Sequence, residues 1–181
     1  GNTQSLEMTD KSGYHAFTLA QPRFVLFRSD TSVLAAITGP NPNNGHIYKM
    51  SRLKKGKKLF IGLYLKPGNY HFIAKKLDDS TRTIQFRMKQ IEVTKLEPGI
   101  MKIPRMIDGS SLHVYRVQVK KKADIGLGIR SEQSGLKGSL YDLESNRVAS
   151  GDYIYTKLEP GNYIFTVHSP GKTASYQIIL L

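Results

Sequence analysis

The chain has 181 residues, 39% of them hydrophobic, no cysteine and a formal net charge of +13. Its length suits one ordinary domain or two small ones, and the missing cysteines exclude disulfides, thiolate metal sites and cysteine nucleophiles. No apolar stretch approaches the roughly 18 to 20 residues of a membrane-spanning helix. The chain does not open on a basic start followed by an apolar run, so a signal peptide is not expected within it.

Alternation of large apolar with polar or small residues begins at Tyr14-His15-Ala16-Phe17-Thr18-Leu19 and predicts a half-buried first strand. Short apolar runs follow at Phe24-Val25-Leu26-Phe27 and Val33-Leu34-Ala35-Ala36-Ile37, bounded by Gly39-Pro40-Asn41-Pro42-Asn43-Asn44-Gly45. Leu59-Phe60-Ile61-Gly62-Leu63 is the next predicted strand. After it, Lys66-Pro67-Gly68-Asn69 reads as a tight turn in which Pro fixes φ and Gly supplies a conformation that other residues resist. Tyr70, Phe72 and Ala74 then fall on one face, expected to point inward, and Thr83-Ile84-Gln85-Phe86-Arg87-Met88 ends the first half.

The second half repeats this order. Leu112 to Val119 is its opening strand, followed by Ile125 to Ile129 and Gly138 to Asp142. Leu158-Glu159-Pro160-Gly161-Asn162-Tyr163-Ile164-Phe165-Thr166 returns the earlier Leu65-Lys66-Pro67-Gly68-Asn69-Tyr70-His71-Phe72-Ile73 almost word for word, with Tyr163, Phe165 and Val167 expected inward, and Tyr176 to Leu180 closes the chain. A second correspondence sets Met8, Asp10, His15, Phe17 and Leu19 against Met106, Asp108, His113, Tyr115 and Val117. Two separated anchors predict an internal duplication. The expected fold is all-β: two tandem antiparallel, jelly-roll-like β-sandwiches over 7–95 and 105–181, joined by a short connector at 96–104.

The charge is uneven. Residues 1–95 hold 16 Lys/Arg against 6 Asp/Glu, and residues 96–181 hold 11 against 8. Between Asp30 and Asp78 no acid occurs, yet Lys49, Arg52, Lys54, Lys55, Lys57, Lys58, Lys66, Lys75 and Lys76 do. Lys120, Lys121 and Lys122 form a further run on a predicted turn. Lysines can guard a sheet edge and keep a protein soluble; read functionally, these residues attract an anionic partner, an acidic protein surface or anionic lipid, chiefly through a basic surface on the first domain. Nucleic acid ranks lower, because Tyr48, Phe60 and Tyr64, near enough for stacking, are expected to alternate into a core strand.

Catalytic signatures are missing from the sequence: no Gly-x-Ser-x-Gly elbow, His-Glu-x-x-His pair or phosphate loop occurs. His15 and His113, at equivalent repeat positions, read as shared architecture. Asp78-Asp79 and Asp142 with Glu144 lie on turns without the spacing of a calcium loop and read as solvated turn residues. No enzyme, metal or cofactor is expected.

With Gly138-Ser139-Leu140-Tyr141-Asp142, the Leu158 to Val167 signature and the terminal Tyr176-Gln177-Ile178-Ile179-Leu180, residues 112–181 resemble the bacterial pre-peptidase C-terminal domain. That family is a small jelly-roll-like sandwich attached to secreted proteases. The tandem turn-and-strand pattern is also similar to the paired β-sandwiches behind the protease core of calpain-type enzymes. Both resemblances imply an accessory module that binds, positions or regulates, with the chemistry elsewhere in a larger protein. Residues 1–12 offer only Glu7 and Asp10, against the acidic calcium-binding segment of collagen-binding relatives, and +13 contrasts with commonly acidic bacterial members. These departures favour the calpain-like reading, cytoplasmic or membrane-peripheral. A peripheral binder of anionic membrane lipids and a secreted adhesin-type carbohydrate or collagen binding domain are the alternatives.

Overall fold

Apolar residues two apart become the two inner faces of a sandwich. A computed structural model of the chain describes residues 2–7, 12–29, 33–39, 47–51, 59–76 and 83–181, the side chains of 2–7, 12, 47–51, 76, 83 and 84 excepted. The chain divides into two compact units, Gly1–Gln90 and Ile91–Leu181. The first contains β1 (Asn2–Glu7), β2 (Ser12–Leu19), β3 (Arg23–Ser29), β4 (Val33–Thr38), β5 (Ile47–Ser51), β6 (Leu59–Leu65), β7 (Gly68–Lys76) and β8 (Thr83–Ile91). They form two sheets ordered β1-β8-β3-β6 and β2-β7-β4-β5, the strand order of an eight-stranded jelly roll. Along β6 the alternation is complete: Leu59, Ile61, Leu63 and Leu65 are buried and Phe60, Gly62 and Tyr64 lie on the other face, half-buried. Phe27 and Phe86 from one sheet stack on Phe72 from the other, with ring centroids 5.4 and 4.5 Å apart.

The second unit contains β9 (Val93–Lys95), β10 (Gly99–Ile100), β11 (Arg105–Ile107), β12 (Leu112–Val119), β13 (Ala123–Arg130), β14 (Lys137–Asp142), β15 (Arg147–Ser150), β16 (Tyr153–Leu158), β17 (Gly161–His168) and β18 (Ala174–Leu180). Its sheets run β10-β18-β13-β16 and β15-β14-β17-β12-β9, with β11 also on β18. Read against the first unit, β12 to β18 follow the order of β2 to β8, and β10 and β11 run along β18 where β1 runs along β8. The all-β sandwich reading is therefore correct for each half.

Strand β1 gives no sequence signal, because Asn2-Thr3-Gln4-Ser5-Leu6-Glu7 has one large apolar residue and no period of two; main-chain pairing with β8 holds it. The stretch read as a connector, 96–104, is part of the second unit. Leu96 is buried in that unit's core and its N–H donates to the Arg116 carbonyl (2.9 Å), while Met101 N–H donates to the Ile178 carbonyl (2.8 Å). Just upstream, β9 pairs in parallel with β12.

The repeated Pro-Gly segment is a corner between sheets rather than a hairpin. Only Lys66 and Pro67 separate β6, in one sheet, from β7, in the facing one, and Glu159 and Pro160 do the same between β16 and β17. Gly68 and Gly161 take φ of 151° and 152°, a backbone that L side chains resist, and a Cβ on Gly161 would meet nothing within 4 Å. The glycine is required by conformation there, not by space. One residue past the following Asn position, Tyr70 Oη donates to the Lys66 carbonyl (2.6 Å), and Tyr163 Oη donates to the Glu159 carbonyl (2.9 Å).

Pairing from these corners corrects the expected histidine equivalence. Leu19 faces Gly68 and Val119 faces Gly161, so His15, opposite Phe72, matches Tyr115, opposite Phe165; His113 lies one step of two residues farther, opposite Val167. The two histidines do not share a position. If residues 91–101 belong to the second sandwich, a fragment 91–181 should unfold cooperatively, and a fragment 105–181, lacking Leu96 and β9, should be less stable by about 2 kcal/mol or more; equal urea midpoints would refute that boundary.

Candidate functional site

The basic residues singled out by sequence distribute between the two units. Arg52, Lys54, Lys55, Lys57 and Lys58 lie outside the described residues. Lys49 sits in β5 opposite Ile37, and Lys76 ends β7 opposite Val33. Lys75 is exposed on β7, between Ser12 and Leu34 of the flanking strands. Lys120, Lys121 and Lys122 are all exposed and make up the whole turn from β12 to β13. Register places this turn beside the Glu159-Pro160 corner, since Val119 pairs with Gly161 and Ala123 with Leu158. Lys122 Nζ reaches Glu159 Oε1 at 2.8 Å. One carboxylate against three ammonium groups leaves this tip positive. The same end of the first unit has Ala20, Gln21 and Pro22 in the first turn and Lys66 in the corner.

The aromatics weighed for nucleic-acid stacking stand differently from expectation. Phe60 and Tyr64 lie on the face of β6 opposite the core, because the core positions are taken by Leu59, Ile61, Leu63 and Leu65. The side chain of Tyr48 lies outside the described residues. Asp78 and Asp79 also lie outside them. Asp142 shapes the β14–β15 turn: its Oδ1 accepts from the N–H groups of Glu144 and Asn146, both at 2.9 Å, and its Oδ2 accepts from Asn146 Nδ2 at 3.2 Å.

A polar node within the second core escaped the sequence reading. Arg105 Nη1 donates to Tyr115 Oη (3.0 Å), Tyr115 Oη lies 2.6 Å from Tyr176 Oη, and Tyr176 Oη lies 2.6 Å from His113 Nδ1. Both tyrosines are 1% exposed. Buried donors and acceptors need partners, and one direction satisfies all of them: Arg105 to Tyr115, Tyr115 to Tyr176, Tyr176 to a neutral His113 protonated on Nε2. Burial holds His113 down to about 4, with the charge of Arg105 acting in the same direction and Asp108 opposing both. Burial, reinforced by the bond from Tyr115, raises the Tyr176 phenol. Protonating His113 would turn Nδ1 into a donor, reverse the chain and leave the Tyr115 hydroxyl hydrogen with no acceptor in it. The available signal was the run of inward-facing positions carrying polar tips, Tyr115 and Tyr176.

Beside the node, Asp108 Oδ1 accepts from Ser110 N–H (2.9 Å), Ser110 Oγ (2.8 Å) and Ser111 Oγ (2.9 Å). This is an Asx turn leading into β12. It passes so close to the 169–172 turn that a Cβ on Gly109 would stand 2.7 Å from the Gly171 nitrogen. These are contacts that fix loops. They do not form a nucleophile and base pair.

No family model matches the chain. No curated protein matches it either. Among solved structures it is similar to the pre-peptidase C-terminal domain of a collagenase from Bacillus anthracis, at 18% identity and TM-score 0.46, over 51% of this chain and 98% of that one. It is similar to the PBSX exported protein XepA at 10% identity and TM-score 0.38, over 99% of this chain and 85% of that one. Tripeptidyl peptidase 2 gives 11% identity and TM-score 0.34, over 98% of this chain and 22% of that one.

The node makes stability depend on pH with a definite sign. His113 has a lower pKa folded than the ordinary value of about 6.5, so the unfolded chain binds more protons between about 6.5 and about 4. The stabilisation is complete above that window and is lost as pH falls through it. His168, also lowered chiefly by burial, acts in the same sense. Urea midpoints measured from pH 7 to pH 4 should therefore fall, and less steeply for His113→Gln, which retains an acceptor for Tyr176. An unchanged slope in the variant would contradict the assignment.

Proposed function

We propose that the chain is a non-enzymatic binding module, an accessory part of a larger, protease-associated protein, that docks on an acidic protein surface through lysine-bearing ends of its sandwiches. The observation that carries this reading is the Lys120-Lys121-Lys122 turn, exposed at a sheet-to-sheet corner with one facing carboxylate, Glu159. The overall charge of +13 supports it by raising the encounter rate with an anionic partner. Lys49, Arg52, Lys54, Lys55, Lys57, Lys58, Lys75 and Lys76 add to the field from the first unit. The protease association rests on the resemblance of the paired Pro-Gly-Asn-Tyr segments to pre-peptidase and calpain-type sandwiches. A protein surface is preferred to lipid because the turn carries no apolar side chain to insert: it is flanked by Val119, which is buried, and by Ala123.

Retention on immobilised poly-glutamate and on phosphatidylserine vesicles separates the two partners. Poly-glutamate should hold the chain at low salt and release it as salt rises, and replacing Lys120, Lys121 and Lys122 by Glu should weaken retention by at least about tenfold. Retention by vesicles alone, or no effect of the triple substitution, would sink the proposal.

A further inference from the structure

The two units finish their equivalent sheets differently. In the second unit the sheet β15-β14-β17-β12-β9 ends on β9, whereas in the first the matching sheet ends on β2, the equivalent of β12. Aligned from the Pro-Gly corners, where Leu19 faces Gly68 and Val119 faces Gly161, residues 14–19 of β2 correspond to residues 114–119 of β12. Strand β9 pairs in parallel with Val114, Tyr115 and Arg116. Just beyond it, Leu96 donates its N–H to the Arg116 carbonyl (2.9 Å) and buries its side chain in the core. Among the described residues no strand does the same for Tyr14, His15 and Ala16.

The main-chain groups of alternate residues point to the same edge of a strand. Because the Arg116 carbonyl faces β9, its counterpart Ala16 turns its carbonyl and N–H to the free edge of β2, and Tyr14 does likewise. Burial differs in step with this. The inward Tyr115 and Val117 of β12 are each 1% exposed, whereas the inward His15 and Phe17 of β2 are only half-buried. Phe17 is nonetheless a core ring, stacked on Tyr70 with centroids 5.4 Å apart. Solvent reaches it at the flank that Leu96 closes in the second unit. Proteins blunt a bare edge with lysine, proline or a bulge. Residues 14–19 contain neither residue, and β2 keeps an unbroken register against β7.

An extended peptide can add to such an edge through main-chain bonds, with side chains deciding which peptide. The sister edge shows what fits: Val93-Thr94-Lys95 in parallel, then Leu96 as the anchor, with Glu92 and Glu97 on either side. Acidic flanks also suit a first half that holds 16 Lys/Arg against 6 Asp/Glu over residues 1–95. We infer that the free edge of β2 takes an extended, leucine-bearing segment of a partner protein by parallel strand addition, the leucine entering the core beside Phe17. This site is separate from the lysine turn.

The probe is a fluorescent peptide with the sequence of residues 91–98, added to the intact chain, in which β9 already fills the edge of β12. It should bind with a Kd below about 1 mM and slow hydrogen exchange at the Tyr14 and Ala16 amides. Ala16→Pro, which removes an N–H that β7 does not use, should weaken binding by at least about tenfold. On the unaltered chain, the peptide carrying Leu96→Asp or an N-methyl group on its leucine should weaken as much, so the result does not hang on how Ala16→Pro folds. Substituting Lys120, Lys121 and Lys122 by Glu should leave peptide binding unchanged while weakening poly-glutamate retention, so the two proposals fail separately. Absence of binding, binding undiminished by Ala16→Pro or by the N-methyl group, protection on β12 in place of β2, or a dimer of the chain through β2 that shuts the peptide out would each overturn the inference.

Discussion

In each sandwich a tyrosine hydroxyl reaches back four residues to a main-chain carbonyl, across the corner where the chain leaves one sheet for the other. Tyr70 binds Lys66 and Tyr163 binds Glu159. The corner is only two residues long, and a chain crossing between sheets in that space has to hold the angle while keeping its register. Pro sets one φ, Gly takes the φ near 150° that follows, and the phenol ties the far side of the turn to the near side. Phe72 and Ala74, or Phe165 and Val167, then arrive at inward positions. A slip of one residue would turn that whole strand inside out.

On this shared frame the two units diverge at matched positions. Where the second unit places Tyr115 in a bond to Tyr176, the first places His15 edge-on to Phe86, at 5.6 Å between ring centroids. Where one core has an aromatic contact the other has a directional hydrogen-bond chain, and that chain makes the second core depend on pH. The turn before β3 is Ala-Gln-Pro, and the turn before β13 is three lysines. Outside the core, Leu26 opposite Gly62 becomes Gly126 opposite Tyr155, which opens one sheet face to solvent. None of these exchanges disturbs the strand order.

Most of the fold was legible because its signals are local. Alternation picks out β2 and β12, short apolar runs between turn residues pick out β3, β4 and β6, and the doubled Pro-Gly-Asn-Tyr segment marks the same corner in each half. What escaped depends on pairing. Strand β1 has no apolar alternation, and β9 to β11 are two or three residues each, so main-chain bonds to β8, β12 and β18 define them. The Pro-Gly segment read only as a tight turn, and whether such a turn joins neighbours in one sheet or crosses between sheets is not written in its residues. The polar node was hidden for a related reason: Arg105, Tyr115 and Tyr176 lie on three strands brought together only by the sheet order. The equivalence of His15 and His113 followed a sequence offset that the strand register moves by two residues.

The dependence of both sandwiches on the tyrosine corner is tested most directly by hydrogen exchange on the Tyr70→Phe and Tyr163→Phe variants. Each should lose about 1 kcal/mol of protection, confined to the unit that carries it and centred on β6 and β7 or on β16 and β17, with the larger loss at the fully buried Tyr70. Unchanged protection across those strands in both variants would contradict the account.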